Sequence, residues 1–274
     1  MSGAPPVAAA PGPAASTAAT AATVERLELD DGALVRLTLR AGKGNVLTAA
    51  VCRELDAALA EVARGPRLRA VILTGEGRHF SFGASVEEHL PDRAAAMLAT
   101  FHGLLRRLLR YPVPVVAAVH GQCLGGGLEL ALSCTRILAA HDAHFGQPEV
   151  RLAVFAPAGS VLLPPRIGQA AADELLVTGR SVAASEALAL RLCDEVCDEP
   201  VARAEAWARQ FLLPLSPRAL RRAFLASRDY AAADLGLRLD DLERLYVAEV
   251  VPAEEAREGL NAFLEKRPPR YPDA

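Results

Sequence analysis

Lysine is nearly missing from this sequence. Only Lys43 and Lys266 occur in 274 residues, and arginine carries the remaining positive charge. That bias reads as coding preference before it reads as anion recognition. The net charge is −3. With no basic stripe, neither nucleic acid nor an anionic membrane surface is an expected partner. No apolar run approaches the roughly 20 residues that a bilayer-spanning helix needs. Cysteines are few and odd in number: Cys52, Cys123, Cys134, Cys193 and Cys197, with no CxxC pair. A disulfide framework is therefore not expected, and a reduced, cytoplasmic setting is. Cys193 and Cys197 are spaced CxxxC with no histidine nearby, and His141 and His144 flank Asp142 without a third ligand, so no metal site is expected. Several signatures are also missing. There is no GxGxxG, no GK[ST] and no GxSxG, and Tyr246 is followed four positions on by Val250 rather than Lys. These gaps speak against dinucleotide, P-loop, serine-hydrolase and short-chain dehydrogenase chemistry.

What remains is an ordinary globular composition, 51% hydrophobic and 23% charged. Residues 1–23 are the exception. They are mostly Ala, Pro, Ser, Thr and Gly with no charge, lack the basic start of a leader peptide, and are expected to form a disordered tail. From Val24 the pattern alternates, breaks at Asp30-Asp31-Gly32 and alternates again to Leu39, which predicts a hairpin. Thr48 is placed to cap a helix running to about Arg64. Short continuous apolar runs at Ala70–Leu73, Val115–Val119 and Ile137–Ala140 read as strands buried on both faces. Helical periodicity covers Asp92–Arg110 and Gly126–Cys134 between them, with loops at 75–85 and 120–125. Strands alternating with helices predict an α/β fold with parallel strands. The expected organisation is a core domain over 24–215 and a helical C-terminal region over 216–274.

The most informative segment is Gly121 to Glu129, which lies between a buried strand and a helix and contains Gly125-Gly126-Gly127. Consecutive glycines let the backbone approach a ligand closely. The following helix start offers unpaired N–H groups to an anion or a developing oxyanion. Tight strand-to-helix packing is the bland alternative. Glu129 falls in the first turn of that helix, where a carboxylate often only complements the dipole. A second carboxylate, Glu149, ends Phe145-Gly146-Gln147-Pro148-Glu149 a short loop after the third strand. Loops at one edge of an α/β sheet meet, so the two glutamates can face one cavity. Phe80-Ser81-Phe82-Gly83-Ala84-Ser85 is a third loop after a buried strand, and its glycine can turn a backbone N–H toward the same place.

In these motifs, and in Asn261–Pro268, the sequence resembles the crotonase (enoyl-CoA hydratase/isomerase) superfamily from about Val24 to Arg267. The resemblance implies a crotonase-like spiral of ββα units with a helical C-terminal region serving trimerisation and coenzyme A contacts. It also implies a homotrimer or homohexamer. By the same likeness, the backbone N–H groups of Ala84 and Gly126 form the oxyanion hole, and Glu129 and Glu149 are the catalytic pair. Phe82, Gly83, Ser85, Gly125, Phe155, Pro157, Phe263 and Lys266 line the substrate site, the last two as coenzyme A contacts. Two departures stand out: Gly83-Ala84-Ser85 replaces the usual Gly-Ala-Asp, and Ala156-Pro157-Ala158-Gly159-Ser160 the usual Pro-Gly-Ala-Gly-Gly. Both resemble one branch of the family, the cyclohexa-1,5-diene-1-carbonyl-CoA hydratases. His89 lies in that branch motif and is expected to be exposed at a helix start.

The implied chemistry suits the residue types. Water added to an α,β-unsaturated thioester puts negative charge on the carbonyl oxygen, which two N–H donors stabilise. One carboxylate removes a proton and one acid supplies it. No cofactor is expected, coenzyme A being part of the substrate. Isomerisation or dehydration of another branched or ring-bearing thioester is the alternative within the fold. A non-catalytic coenzyme A-binding or scaffolding member is the alternative outside enzyme chemistry.

Overall fold

A computed structural model describes residues 22–271. The expected tail falls outside these residues, apart from Ala22 and Thr23. In chain order the elements are β1 (Val24–Leu29), β2 (Leu34–Leu39), α1 (Ala49–Val62), β3 (Ala70–Gly75), α2 (Ala94–Leu109), β4 (Val115–Val119), β5 (Gln122–Leu124), α3 (Gly126–Leu132), β6 (Arg136–Ala139) and β7 (His144–Gly146). Then follow α4 (Pro157–Ile167), α5 (Gln169–Thr178), β8 (Ser181–Ala183), α6 (Ala184–Ala189), β9 (Glu195–Val196), α7 (Pro200–Phe211), α8 (Pro217–Leu245) and α9 (Glu254–Leu264). Single 3₁₀ turns cover Val86–His89 and Pro148–Leu152, and a π turn covers Tyr246–Val250.

The larger sheet has the order β1-β2-β3-β4-β6-β9. Its first pair is the expected hairpin, antiparallel with Leu29 opposite Leu34, and every later pairing is parallel. The apolar runs at β3 and β4 are buried at every position because both faces are covered. On one face Val71, Leu73 and Val115 pack with Leu55 and Leu59 of α1 and Leu104 and Leu105 of α2. On the other, Ile72, Val116, Ala118 and Leu138 pack with Ala204 of α7, and Trp207 lies against them. Thr48 caps α1 as expected, its hydroxyl accepting from Val51 N.

In the smaller sheet, β5-β7-β8, the first two strands fall in stretches that read as loops in the sequence, and β8 falls in the stretch after about Gly168 that reads as helix. Strands of two or three residues carry too little periodicity to be read. Their pairing partners create them: Gln122–Leu124 aligns parallel to His144–Gly146, and β8 joins antiparallel. The chain repeatedly enters the large sheet, turns into the small one and leaves in a helical turn. β4-β5-α3 is one such ββα unit, and β6-β7 with its 3₁₀ turn is the next. This is the spiral the resemblance implied. Glu149 consequently follows β7 and not the third long strand directly. The C-terminal region is helical from the Ser216 cap onward.

Candidate active site

The parallel pair β5 and β7 positions the site. Both strands point their C-terminal ends the same way, and each runs straight into a glutamate-bearing turn. Gly125 N donates to Gly146 O at 2.9 Å and ties the two exits together. The loop before Ala84 joins from the other side. Ser81 N donates to Gln122 O and Leu124 N to Ser81 O, each at 3.0 Å. Ser81 Oγ, fully buried, accepts from Gly83 N and donates to Asn45 O.

The glycines at this junction are close-approach positions. A Cβ on Gly83, at φ +99°, would sit 2.6 Å from Leu124 O and 3.1 Å from Gly126 N. One on Gly126 would sit 3.0 Å from Ala84 N. The backbones of 83–84 and 125–126 therefore touch, and no side chain fits between them. Ala84 makes a parallel bridge to Leu47 in which its neighbours carry the bonds: Leu47 N to Gly83 O and Ser85 N to Leu47 O. The Ala84 N–H is thus turned away from Leu47. Gly126 opens α3, so its N–H has no partner in the helix. Among the described residues neither N–H donates to a protein acceptor. Two adjacent free donors can hold one developing oxyanion.

Glu129, in the first turn of α3, is 4% exposed. Its Oε1 accepts from Gly159 N at 2.6 Å, and the neighbouring Ala158 N–H also favours the carboxylate. Pro157 opens α4 at a position where no N–H is needed, and this leaves the next two N–H groups free to point at Glu129. Burial raises the Glu129 pKa, opposed by the charge of His102 and by those two N–H groups. Glu149 sits in the first turn after β7 and lies against Gly125. At φ +50°, a Cβ there would come within 2.5 Å of Glu149 Oε1. Gln147, buried, turns its amide so that the nitrogen donates to Glu149 Oε1 and Oε2 at 3.2 and 3.0 Å. Burial, reinforced by the charge of Glu129, pushes Glu149 up to about 8. The site thus holds two carboxyl groups beside two free N–H donors. One carboxyl is anchored as an acceptor of backbone donors, and the other tends to hold its proton near neutrality.

The other expected residues divide. Ser85 is buried and opens the 3₁₀ turn, and its carbonyl bonds His89 Nδ1 at 2.8 Å. Phe155 packs on Tyr246, with ring centroids 5.4 Å apart. Phe82 instead stacks on His79 at 4.7 Å, covers Gly44 and stays 46% exposed. Phe263 and Lys266 lie exposed at and just beyond the end of α9. His89 corrects its expectation. It is half-buried, its ring meets Tyr246 edge-on at 6.3 Å, and burial lowers its pKa. The 3₁₀ turn faces inward because Leu90 and Val86 pack on the core.

Three residues near the site had no assigned role in the sequence. Gln147 lay inside a quoted motif. His102 interrupts the apolar face of α2 between Leu98 and Leu105, a signal that could have been read. Tyr246 ends a long polar helix and gave none. A wide cleft of about 880 Å³ opens elsewhere, where His120, Ala140 and Asp142 follow the large-sheet strands. It contains neither glutamate.

Comparison with known proteins places the chain in a family. The enoyl-CoA hydratase/isomerase family profile matches residues 30–274. A cyclohexa-1,5-dienecarbonyl-CoA hydratase of Thauera aromatica is 49% identical over 237 residues, 86% of this chain and 92% of the relative. A probable enoyl-CoA hydratase of Bacillus subtilis is 36% identical over 247 residues, 86% of this chain and 93% of the relative. Among solved structures, an enoyl-CoA hydratase from Mycobacterium avium subsp. paratuberculosis superposes with a TM-score of 0.79 at 26% identity, covering 92% of this chain and 99% of that one. This chain therefore belongs to the enoyl-CoA hydratase/isomerase family and, by kinship with its named relatives, is a hydro-lyase.

Proposed function

We propose that this protein hydrates a ring-bearing unsaturated acyl-CoA, with cyclohexa-1,5-diene-1-carbonyl-CoA as the substrate. One observation carries the hydratase reading: the paired Glu129 and Glu149 carboxyls lie beside the two free N–H groups of Ala84 and Gly126. The ring substrate is supported by the 49% identical relative and by the branch features Gly83-Ala84-Ser85 and Ala156-Pro157-Ala158-Gly159-Ser160.

In the proposed reaction the thioester carbonyl accepts from Ala84 N and Gly126 N. Water attacks the β-carbon, and Glu129, its carboxylate favoured by two N–H donors, takes the water proton. Electrons move through the unsaturated bond onto the carbonyl oxygen, where each donor contributes about 3–4 kcal/mol of stabilisation. Glu149, protonated near neutrality, returns a proton to carbon, and the carbonyl re-forms. Proton exchange between the glutamates through solvent restores the pair. The reaction needs no metal or redox group, and coenzyme A enters as part of the substrate. Phe263 and Lys266 are proposed to reach the coenzyme A of a neighbouring subunit, a contact that the family resemblance implies and their exposure allows.

The test is mass-resolved turnover with cyclohexa-1,5-diene-1-carbonyl-CoA and, separately, crotonyl-CoA. The expected result is one added water and a much higher kcat/KM for the ring. Preference for crotonyl-CoA would discard the ring substrate, and conversion without mass change would replace hydration by isomerisation.

A further inference from the structure

Among the described residues, two buried side-chain polar atoms lack a hydrogen-bond partner: the Tyr246 hydroxyl and His102 Nε2. Both belong to the surroundings of the glutamate pair. The charges of Glu149 and Glu129 act on Tyr246, and that of His102 acts on Glu129. A native chain rarely keeps a buried hydroxyl unpaired unless something arriving in the site completes it.

We propose that the Tyr246 hydroxyl is a third polar contact for the reacting oxygen, meaning first the attacking water and then the hydroxyl group it becomes. The proposal rests on the hydratase reading of the site.

Tyr246 is held firmly. It is 1% exposed, with Phe155 and His89 against its ring at 5.4 and 6.3 Å. It opens the π turn that ends α8. One turn back on the same helix face is Glu243, whose Oε2 accepts from His102 Nδ1 at 2.7 Å and from Arg106 at 3.3 Å. Arg106 also bonds Asp240. These bonds pin α8 to α2 immediately before Tyr246. His102 thus spends one ring nitrogen on positioning α8, and the other remains near Glu129.

Burial first, and then the charges of both glutamates, raise the phenol pKa, so Tyr246 stays a neutral donor. A neutral donor cannot take the water proton. It can donate to the water oxygen while the water donates to Glu129, which aims the remaining lone pair at carbon. After addition the same bond goes to the new hydroxyl. The phenol gains and loses no proton in either role.

The experiment compares wild type with Tyr246→Phe, which keeps the ring. The probes are cyclohexanecarbonyl-CoA, its 2-hydroxy derivative, and the thioester that wild type hydrates. Wild type is expected to bind the hydroxylated probe about tenfold more tightly than the plain one, and Tyr246→Phe to bind the two within about twofold. In turnover, kcat is expected to fall about 10- to 100-fold with KM little changed. Tm should hold or rise, because an unpaired buried hydroxyl has been removed. Unchanged kcat, absence of a wild-type preference for the hydroxyl, or a lowered Tm with the preference intact would each overturn the proposal. A wild type that hydrates nothing yet shows a preference lost in Tyr246→Phe would sink the hydratase reading and leave this contact standing. Tyr246→Met, close in volume, gives a second variant with the same expectations.

Discussion

At the residue scale, the site depends on two carboxyls whose surroundings differ. Glu129 is buried but receives backbone donors, and Glu149 is half-buried next to another carboxylate. Glu129→Gln and Glu149→Gln are each expected to lower kcat by at least about 100-fold while product affinity persists, as measured by steady-state kinetics and calorimetry. Near-normal turnover in either would remove the two-glutamate mechanism. The pH dependence follows from the raised pKa of Glu149, about 8. If it donates the proton, kcat/KM falls as pH rises past that value, and Glu149→Gln lacks this alkaline limb. Stability runs in the same direction. A carboxyl whose folded pKa is raised binds more protons folded than unfolded, so wild type loses stability as pH rises from its ordinary value of 4.5 toward 8. Glu149→Gln should therefore be the more stable protein at pH 9, read as a higher urea midpoint, and not at pH 4. Gly125→Ala tests the packing beside it. The added methyl falls 2.5 Å from Glu149 Oε1 at a positive φ, so activity should drop by at least about tenfold in the same assay. The sequence made both glutamates and the glycine turn legible as candidates. It could not reveal Gln147 as the amide that orients Glu149, because that contact exists only once β7 has turned.

At the scale of elements, the decisive unit is the shortest one. β5 and β7 have three residues each, and their parallel register brings Gly126 and Glu149 together. The long strands and α1 were legible because burial on one or both faces imposes a period on many residues. β5, β7, β8 and β9 were not, since pairing with distant segments defines them. The α2–α8 clamp is a second such unit. Replacing Glu243 by Gln removes the charge from the His102 and Arg106 bonds and should cost about 1–3 kcal/mol, read as a lower urea midpoint with an unchanged slope. An unchanged midpoint would mean that α8 is held by packing alone.

At the scale of the molecule, apolar side chains are exposed on α8 among the described residues. Tyr230 and Leu237 on α8 are 86% and 68% exposed, and Leu225 on the same helix is also exposed. A helix with such residues ordinarily packs against a partner. Sedimentation equilibrium is expected to give three or six times the chain mass of 28.9 kDa. A monomer would leave Phe263 and Lys266 with no neighbouring coenzyme A to meet.

Composition, apolar periodicity and ordered motifs were enough to read the α/β class, the long strands and the capped first helix, and to single out the two glutamates as candidates. Each is a local property, because a residue's burial along a strand or helix leaves its mark on its immediate neighbours. Tertiary structure alone decided the rest. It set the second sheet, the contact between the 83–84 and 125–126 backbones, the inward turn of His89 and the arrival of Tyr246 beside the carboxylates. Those depend on segments tens to more than a hundred residues apart, and nothing in the local pattern of either segment records the other.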